Sequence, residues 1–192
     1  MTPDHVFLDG LAAFSAVVVQ LGPGDWERTS PCAGWRALDV LGHVGSAVRF
    51  GAALLSEGEA QWKPVDPPGN AVEGDPVQWW ESIASSARDA VAGTDLSRVF
   101  DAPRGPRSVA DGLSFPALDL FVHAWDLGRT AGIAVVVPPE VIEFGHHVID
   151  PIPAGQVRSA SVFADEQPAP AGATPSDAFI AWTGRDPQWS PA

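Results

Sequence analysis

The sequence has one cysteine and no tyrosine, and each scarcity excludes a class of site. A lone cysteine, Cys32, cannot form an internal disulfide and cannot build a cysteine-rich zinc finger. The absence of tyrosine removes phenolic acid–base catalysis. Lys63 is the sole lysine, so Schiff-base chemistry would depend on that residue alone.

Positive charge is also scarce. Lys plus Arg number 11 against 24 Asp plus Glu, which gives a formal net charge of −13. Such a charge repels phosphate backbones and anionic membranes, so it argues against nucleic-acid and membrane partners. No secretory signal pattern precedes residue 30, and we find no apolar run approaching the roughly 20 residues of a membrane span. We therefore predict a cytoplasmic protein, monomeric or homodimeric.

Apolar residues recur at helical period in several segments of this 192-residue chain. Long helices are predicted at about 4–20, 36–56, 76–92 and 113–130, and shorter ones at 139–150 and 176–182. The second long helix is apolar around much of its circumference, which predicts a deeply buried position. Residues 58–74, 94–111 and 151–175 are predicted to be loops or irregular. We expect an all-α four-helix bundle with long crossover loops, as one domain over 1–192: a bundle core (1–150) and a loop-rich extension with a short terminal helix (151–192).

Three residues on two predicted helices form a candidate metal site. Asp119 and His123 are four residues apart, and helical side chains at that spacing project from one face. His43 lies among apolar neighbours, so it points into the bundle or along its edge. Two imidazoles and one carboxylate form a common catalytic zinc set with a fourth position for water or substrate, and the same set suits iron(II). Spacing alone also fits a chance pair beside a hydrogen-bonded core histidine, so both interpretations stay open here.

Four further residues are weaker candidates for a catalytic role. Cys32 precedes a helix start, where a thiol can become nucleophilic; a small buried hydrophobe in a fixed turn is the interpretation we favour. Asp126 is either a partner of a metal-binding histidine or a carboxylate bonded to a nearby backbone or indole N–H. Arg36 and Arg129 either hold an anionic substrate or are ordinary solvated or helix-terminal arginines.

Three sequence blocks resemble a known family. The run from Thr29 to Val44 resembles the signature PTPCxGWxVxDLLxHV of the actinobacterial metal-binding branch of the DinB-like, mycothiol-dependent maleylpyruvate isomerase superfamily. The run from Asp119 to Arg129 resembles the DLLVHGWDLAR segment of that branch, and Gly184-Arg185-Asp186-Pro187 is similar to its closing GRDP. In order, the three blocks span nearly the whole chain.

This resemblance implies the DinB four-helix bundle and assigns His43, Asp119 and His123 as ligands of a divalent metal, zinc first, with nickel or iron as alternatives. Two departures from the family pattern stand out. Maleylpyruvate isomerases proper have glutamate where Asp119 stands, and they carry an additional C-terminal domain for which this chain has no room. The resemblance therefore implies the metal site more directly than the isomerase activity.

The resemblance and the candidate site together predict a metal-dependent S-transferase or isomerase that uses a low-molecular-weight thiol such as mycothiol. A coordinated thiol ionises near neutral pH, and the thiolate would attack a small-molecule electrophile. Two alternatives remain open: a metal-hydroxide hydrolase or specialised biosynthetic enzyme on the same site, and a non-catalytic metal-binding structural protein. A fourth protein ligand, from Cys32 or Asp126, would favour the structural role.

Overall fold

Four long helices form the framework of the protein. The structure is a computed structural model that describes residues 1–57, 63–101, 105–158 and 163–191. The helices in those ranges are α1 (Pro3–Val18), α2 (Ala37–Glu57), α3 (Pro76–Gly93), α4 (Val109–Gly112), α5 (Ser114–Ala131), α6 (Pro139–Ile149), α7 (Ala154–Val157) and α8 (Pro175–Trp182). The predicted all-α class is confirmed, and each helix expected from the sequence is present within a few residues of its expected ends.

The long helices pack in a closed ring. α1 packs against α5, α5 against α2, α2 against α3, and α3 against α1. α1 and α2, consecutive in the chain, lie diagonally across this ring, and so do α3 and α5. Their connections therefore cross the bundle, which confirms the predicted four-helix bundle with crossovers. α6 packs on α5, and α8 returns onto α6.

Local signals in the sequence set the helix ends. The Asp75 side chain accepts a hydrogen bond from the Gln78 N–H at 2.9 Å, which caps the start of α3, and Pro76 occupies the first helical position. α5 ends at Gly132, whose φ of 71° places it in the left-handed region that glycine adopts without strain.

The core is centred on α5 rather than on α2. Every residue of α5 from 120 to 128 is buried. In α2 burial is concentrated in the first half, and Leu54 near its end is 37% exposed. The predicted deeply buried position of this helix therefore applies to its first half and not to its second. The reason is packing: α5 contacts α1, α2 and α6, whereas the main helical partners of α2 are α3 and α5.

One helix in the described part of the chain meets the length and composition criterion for a membrane span. The segment Ala37–Ser56 of α2 has a mean hydropathy of 1.3, so the prediction that no apolar run approaches a span was wrong by this measure. The same segment contains the buried carboxylate of Asp39, and 44% of it is buried inside the protein. A core helix of a bundle passes the same test, so the criterion alone does not indicate a membrane. The cytoplasmic location stays a prediction.

Short ordered elements interrupt the predicted loops. β1 (Val99–Phe100) pairs antiparallel with β2 (Arg107–Ser108) inside the segment predicted to be irregular, and α4 follows directly. Elements of two to four residues show no period, which is why the sequence pattern missed them. Residues 58–62, 102–104 and 159–162, parts of the three predicted loops, lie outside the described residues. The division of the chain at residue 150 stays a prediction.

Candidate metal centre

The side chains of His43, Asp119 and His123 meet between α2 and α5; we call them the His–Asp–His site. Nε2 of His43 lies 3.6 Å from Oδ2 of Asp119, and Nε2 of His123 lies 3.3 Å from Oδ1 of Asp119. One ligand atom from each residue lies within 4.8 Å of the other two. Tetrahedral ligands about 2.0–2.2 Å from an ion are about 3.3–3.6 Å apart. The donor set and its spacing therefore fit a divalent cation.

The three side chains line a cavity of about 800 Å³. The His123 side chain is 7% exposed, whereas those of His43 and Asp119 are 31% and 24% exposed, so His123 is the deepest of the three. The walls are mainly apolar and include Trp35, whose ring centroid lies 5.1 Å from that of His43. A cavity of this size holds a small organic ligand beside the candidate cation position.

Asp126 contacts the other edge of the His123 ring. Its Oδ2 lies 2.9 Å from Nδ1 of His123, and the carboxylate is fully buried. With the ring hydrogen on Nδ1 and donated to Asp126, the lone pair of Nε2 would be available to a cation held together with Asp119. Of the two roles considered for Asp126, the contact is that of a partner to His123.

Arg185 compensates the charge of this buried carboxylate. Its Nη2 donates to Oδ2 of Asp126 at 2.9 Å, and its Nε lies 3.2 Å from Oδ1. Burial raises the pKa of Asp126, but the charge of Arg185 and the hydrogen bonds from His123 and Arg185 outweigh it and bring the pKa to about 2. No role for Arg185 was predicted from the sequence, and the similarity of residues 184–187 to a family motif was the signal that could have found it.

His123 lies between two carboxylates. Burial favours its neutral form, but Asp119 and Asp126 outweigh that effect and raise the pKa of His123 well above its usual value. Burial also opposes ionisation of Asp119, yet the charge of His123 and the hydrogen bonds from His123 and His43 hold the pKa of Asp119 well below its usual range. A proton on Nε2 of His123 and a divalent cation at the same nitrogen would compensate the same negative charge. Binding of the cation therefore displaces the proton.

Cys32 lies beside the site without being activated. Its Sγ is 3.3 Å from Oδ2 of Asp126 and 3.9 Å from Nδ1 of His123. Burial first, and then the charge of Asp126, raise the pKa of the thiol, so it stays protonated and donates to the carboxylate. Cys32, His123 and Asp126 are close enough to hold an ion of their own, but Arg185 already pairs with that carboxylate.

Among the described residues, no fourth His, Cys, Asp or Glu side chain joins the His–Asp–His site. Cys32 and Asp126, the two candidates from the sequence, both contact the Nδ1 edge of His123. The two ring nitrogens point in different directions, so groups on the Nδ1 edge do not reach an ion held at Nε2. A ligand in the cavity would therefore have access to an ion held by the three side chains, because all three line that cavity.

Arg36 and Arg129 lie away from the cavity. Arg36 pairs with Glu27 at 2.7 Å and with Asp39 at 3.3 Å. Arg129 donates to the backbone carbonyl of Pro187 at 2.6 Å. Neither arginine is among the described residues that line the cavity. The interpretation of these two residues as substrate anchors is therefore not supported, because their guanidinium groups already have partners elsewhere.

Comparison with solved structures identifies the fold. Two crystal structures of mycothiol-dependent maleylpyruvate isomerase, one of them of a His-to-Ala mutant, match with TM-scores of 0.61 (the mutant) and 0.59. Sequence identity is 13% and 15%, and each match covers 74% of this chain and 65% of the solved one. The chain thus spans just under two thirds of the length of those proteins. The match confirms the DinB-like bundle.

Sequence comparison extends the likeness to nearly the full chain. Two uncharacterized proteins of Mycobacterium tuberculosis, one from strain CDC 1551 and one from strain H37Rv, are each 28% identical over 178 residues, which is 90% of this chain and 92% of theirs. The family model of the mycothiol maleylpyruvate isomerase N-terminal domain matches residues 7–128, well over half of the chain and inclusive of the His–Asp–His site. The resemblance seen in the sequence is confirmed, and the chain belongs to the mycothiol maleylpyruvate isomerase N-terminal domain family.

Proposed function

We propose that this protein is a metal-dependent thiol enzyme, an S-transferase or isomerase that combines mycothiol with a small-molecule electrophile. The observation that carries the proposal is the His–Asp–His site, whose ligand atoms converge beside a cavity while Asp126 orients His123 from behind. Membership of a family named for mycothiol and maleylpyruvate supports the choice of thiol and reaction.

The donor set decides which cations suit the site. Two imidazoles and one carboxylate favour zinc, with iron(II) and nickel as alternatives. His43, Asp119 and His123 would hold the ion, and a bound divalent ion lowers the pKa of a coordinated thiol so that it ionises near neutral pH. The cavity beside the three ligands favours this catalytic role over a purely structural metal site, in which protein ligands close the shell.

The residues around the site have separable tasks. His123 presents Nε2 to the cavity because Asp126 holds its Nδ1–H. The apolar walls, with Trp35 and Phe115 among them, would pack against the carbon framework of the ligands. A thiol that adds to an activated alkene, permits rotation about the resulting single bond and then leaves converts the cis to the trans isomer. The cavity must therefore hold the electrophile and the thiol end of mycothiol together.

Metal analysis is the first test. Purified wild type, His43→Ala and His123→Ala are compared by mass spectrometry of their metal content, with His147→Ala as the matched control because His147 is an exposed histidine on α6. We expect near-stoichiometric metal in wild type and in the control, and its loss from both site variants. A folded wild type that holds no metal and takes up no added zinc contradicts the proposal.

Thiol dependence is the second test. The metal-loaded protein is assayed for conversion of maleylpyruvate with and without mycothiol, and again after removal of the metal by a chelator. Conversion that needs both the thiol and the metal supports the proposal. Thiol-independent hydrolysis of an activated ester, lost with the metal, would support the hydrolase alternative instead.

A further inference from the structure

Asp126 is a fully buried carboxylate, and one guanidinium group contacts both of its oxygens. Nη2 of Arg185 donates to Oδ2 at 2.9 Å, and Nε is shared between Oδ1 at 3.2 Å and Oδ2 at 3.3 Å. A planar guanidinium that engages both oxygens fixes the plane of a carboxylate as well as compensating its charge. The same Oδ2 lies 2.9 Å from Nδ1 of His123, so the position of Arg185 determines where that acceptor stands.

Arg185 reaches this place from the turn that ends α8. The Arg185 N–H donates to the carbonyl of Ile180 at 3.2 Å, which closes the turn back onto the helix. Gly184 just before it has a φ of 91°, and a Cβ there would lie 2.8 Å from the backbone of Ala164. The guanidinium is thus delivered to α5 by a segment with a defined conformation, and its side chain is 13% exposed.

Each nitrogen of the Arg185 guanidinium already has a partner in the protein, although the residue borders the cavity. Nε and Nη2 face Asp126, and Nη1 donates to the carbonyl of Thr183 at 3.3 Å. The contacts of Nε and Nη2 within the site are with Asp126. The effect of Arg185 on the site therefore passes through Asp126 to His123.

We infer that Arg185 is a positioning residue of the metal centre: it locks the Asp126 carboxylate, which in turn locks the His123 ring with Nε2 facing Asp119. This inference rests on the proposed function and deepens it. It places part of the metal centre in the last ten residues of the chain, outside the range 7–128 that matches the family model. Without Arg185 the carboxylate keeps only the contacts of its Oδ2 with His123 and Cys32, and its Oδ1 loses its donor.

The test measures metal affinity and metal geometry rather than turnover. Zinc affinity of the full chain is measured by competition with a chromophoric chelator, and the visible spectrum of the cobalt(II)-substituted protein reports ligand geometry. We expect Arg185→Met to bind zinc about 10- to 100-fold more weakly than wild type, the range typical for partners of metal-binding histidines, with a shifted cobalt spectrum. Arg185→Lys keeps the charge without the planar fork, so we expect an intermediate loss.

A double-mutant cycle and a matched control distinguish two explanations for a loss of zinc affinity. In one, Arg185 acts on the site through Asp126; in the other, Arg185 only tethers the terminal segment to the bundle. Because Arg185 acts through Asp126, we expect Asp126→Asn/Arg185→Met to bind zinc no more weakly than Asp126→Asn alone. The control is Arg158→Met, because Arg158 donates to the carbonyl of Trp182 at 2.6 Å and so holds the same terminal segment without contacting Asp126. We expect wild-type affinity in this control.

The outcomes are distinct. If Arg185→Met binds zinc as tightly as wild type with an unchanged cobalt spectrum, the inference is wrong and the proposed function stands. An equal loss in Arg158→Met would also overturn it, since tethering alone would then explain the effect. If Arg185→Met fails to fold, the double variant, which buries no unpaired charge, is compared with Asp126→Asn; further weakening overturns the inference and equality supports it. A wild type that binds no metal overturns the proposed function and the inference with it.

Discussion

The Oδ1 atom of Asp39 accepts a hydrogen bond from the N–H of Gly69 at 3.0 Å, and this bond fastens the segment that follows α2 to the start of the same helix. The other oxygen accepts from the N–H of Arg36 at 2.9 Å. Pro68, next to Gly69, lines the cavity, and His43 lies one turn after Asp39 on α2. One buried carboxylate therefore connects the helix that carries a candidate ligand with a wall of the cavity.

Removal of this carboxylate should be costly to stability. Asp39 is 2% exposed, so Asp39→Ala leaves the Gly69 N–H without its partner. We expect the free energy of unfolding to fall by about 2–3 kcal/mol, measured by urea denaturation. Glu27→Ala is the control, because Glu27 is the exposed partner of Arg36, and its loss should cost less than about 1 kcal/mol. Equal losses in the two variants would contradict the connecting role of Asp39.

The contribution of Asp39 should also depend on pH in a defined direction. Burial raises its pKa, but the hydrogen bonds from Arg36 and Gly69 outweigh burial and hold the pKa below 3.8. With a folded pKa below the unfolded one, the stabilisation is complete above about pH 4, the unfolded value, and is lost as the pH falls through the folded pKa. We expect the stability difference between wild type and Asp39→Ala to be constant from about pH 7 to 5 and to shrink below about pH 4. Urea denaturation of both proteins at several pH values measures this difference. A difference that grows on acidification would contradict the lowered pKa of Asp39.

Gly42 permits the close contact between α2 and the segment at Pro68. A methyl group at Gly42 would overlap the Pro68 carbonyl, whereas one at Gly51 on the same helix would meet nothing within 4 Å. We expect Gly42→Ala to lower the free energy of unfolding by about 1–3 kcal/mol. Gly51→Ala should raise it by about 0.5–1 kcal/mol, because alanine has the higher helix propensity. Urea denaturation measures the free energy of unfolding of both variants. If both variants shift it in the same direction, the close contact at Gly42 is contradicted.

Cys32 should behave as a buried thiol and not as a nucleophile. Burial and the charge of Asp126 raise its pKa, and its Sγ donates to that carboxylate. We expect native protein to react with iodoacetamide at about pH 8 far more slowly than the same protein in urea, since the thiolate is the reactive form. The readout is unambiguous because Cys32 is the only cysteine. Cys32→Ala should retain metal at wild-type stoichiometry; fast native alkylation, or metal loss in the variant, would point to a direct role.

Local features of the sequence predicted the helices well because their causes are local. The cap at Asp75 and the stop at Gly132 depend on neighbouring backbone groups, and helical period depends on residues three and four apart. The pairing of Asp119 with His123 on one face has the same origin. His43 was a candidate because of its apolar neighbours, and the resemblance to a family motif then assigned it as a ligand; no local spacing relates it to α5.

By itself, then, the sequence determined the helical class, most helix ends, the family and the candidate ligands. Only the tertiary structure decided which distant groups meet. It placed Arg185 on Asp126 across 59 residues and Cys32 against the same carboxylate, it paired Arg36 and Arg129 away from the cavity, and it buried α5 more deeply than α2. Such contacts arise from the packing of helices around a shared core. No periodicity within one segment records where another segment will lie against it.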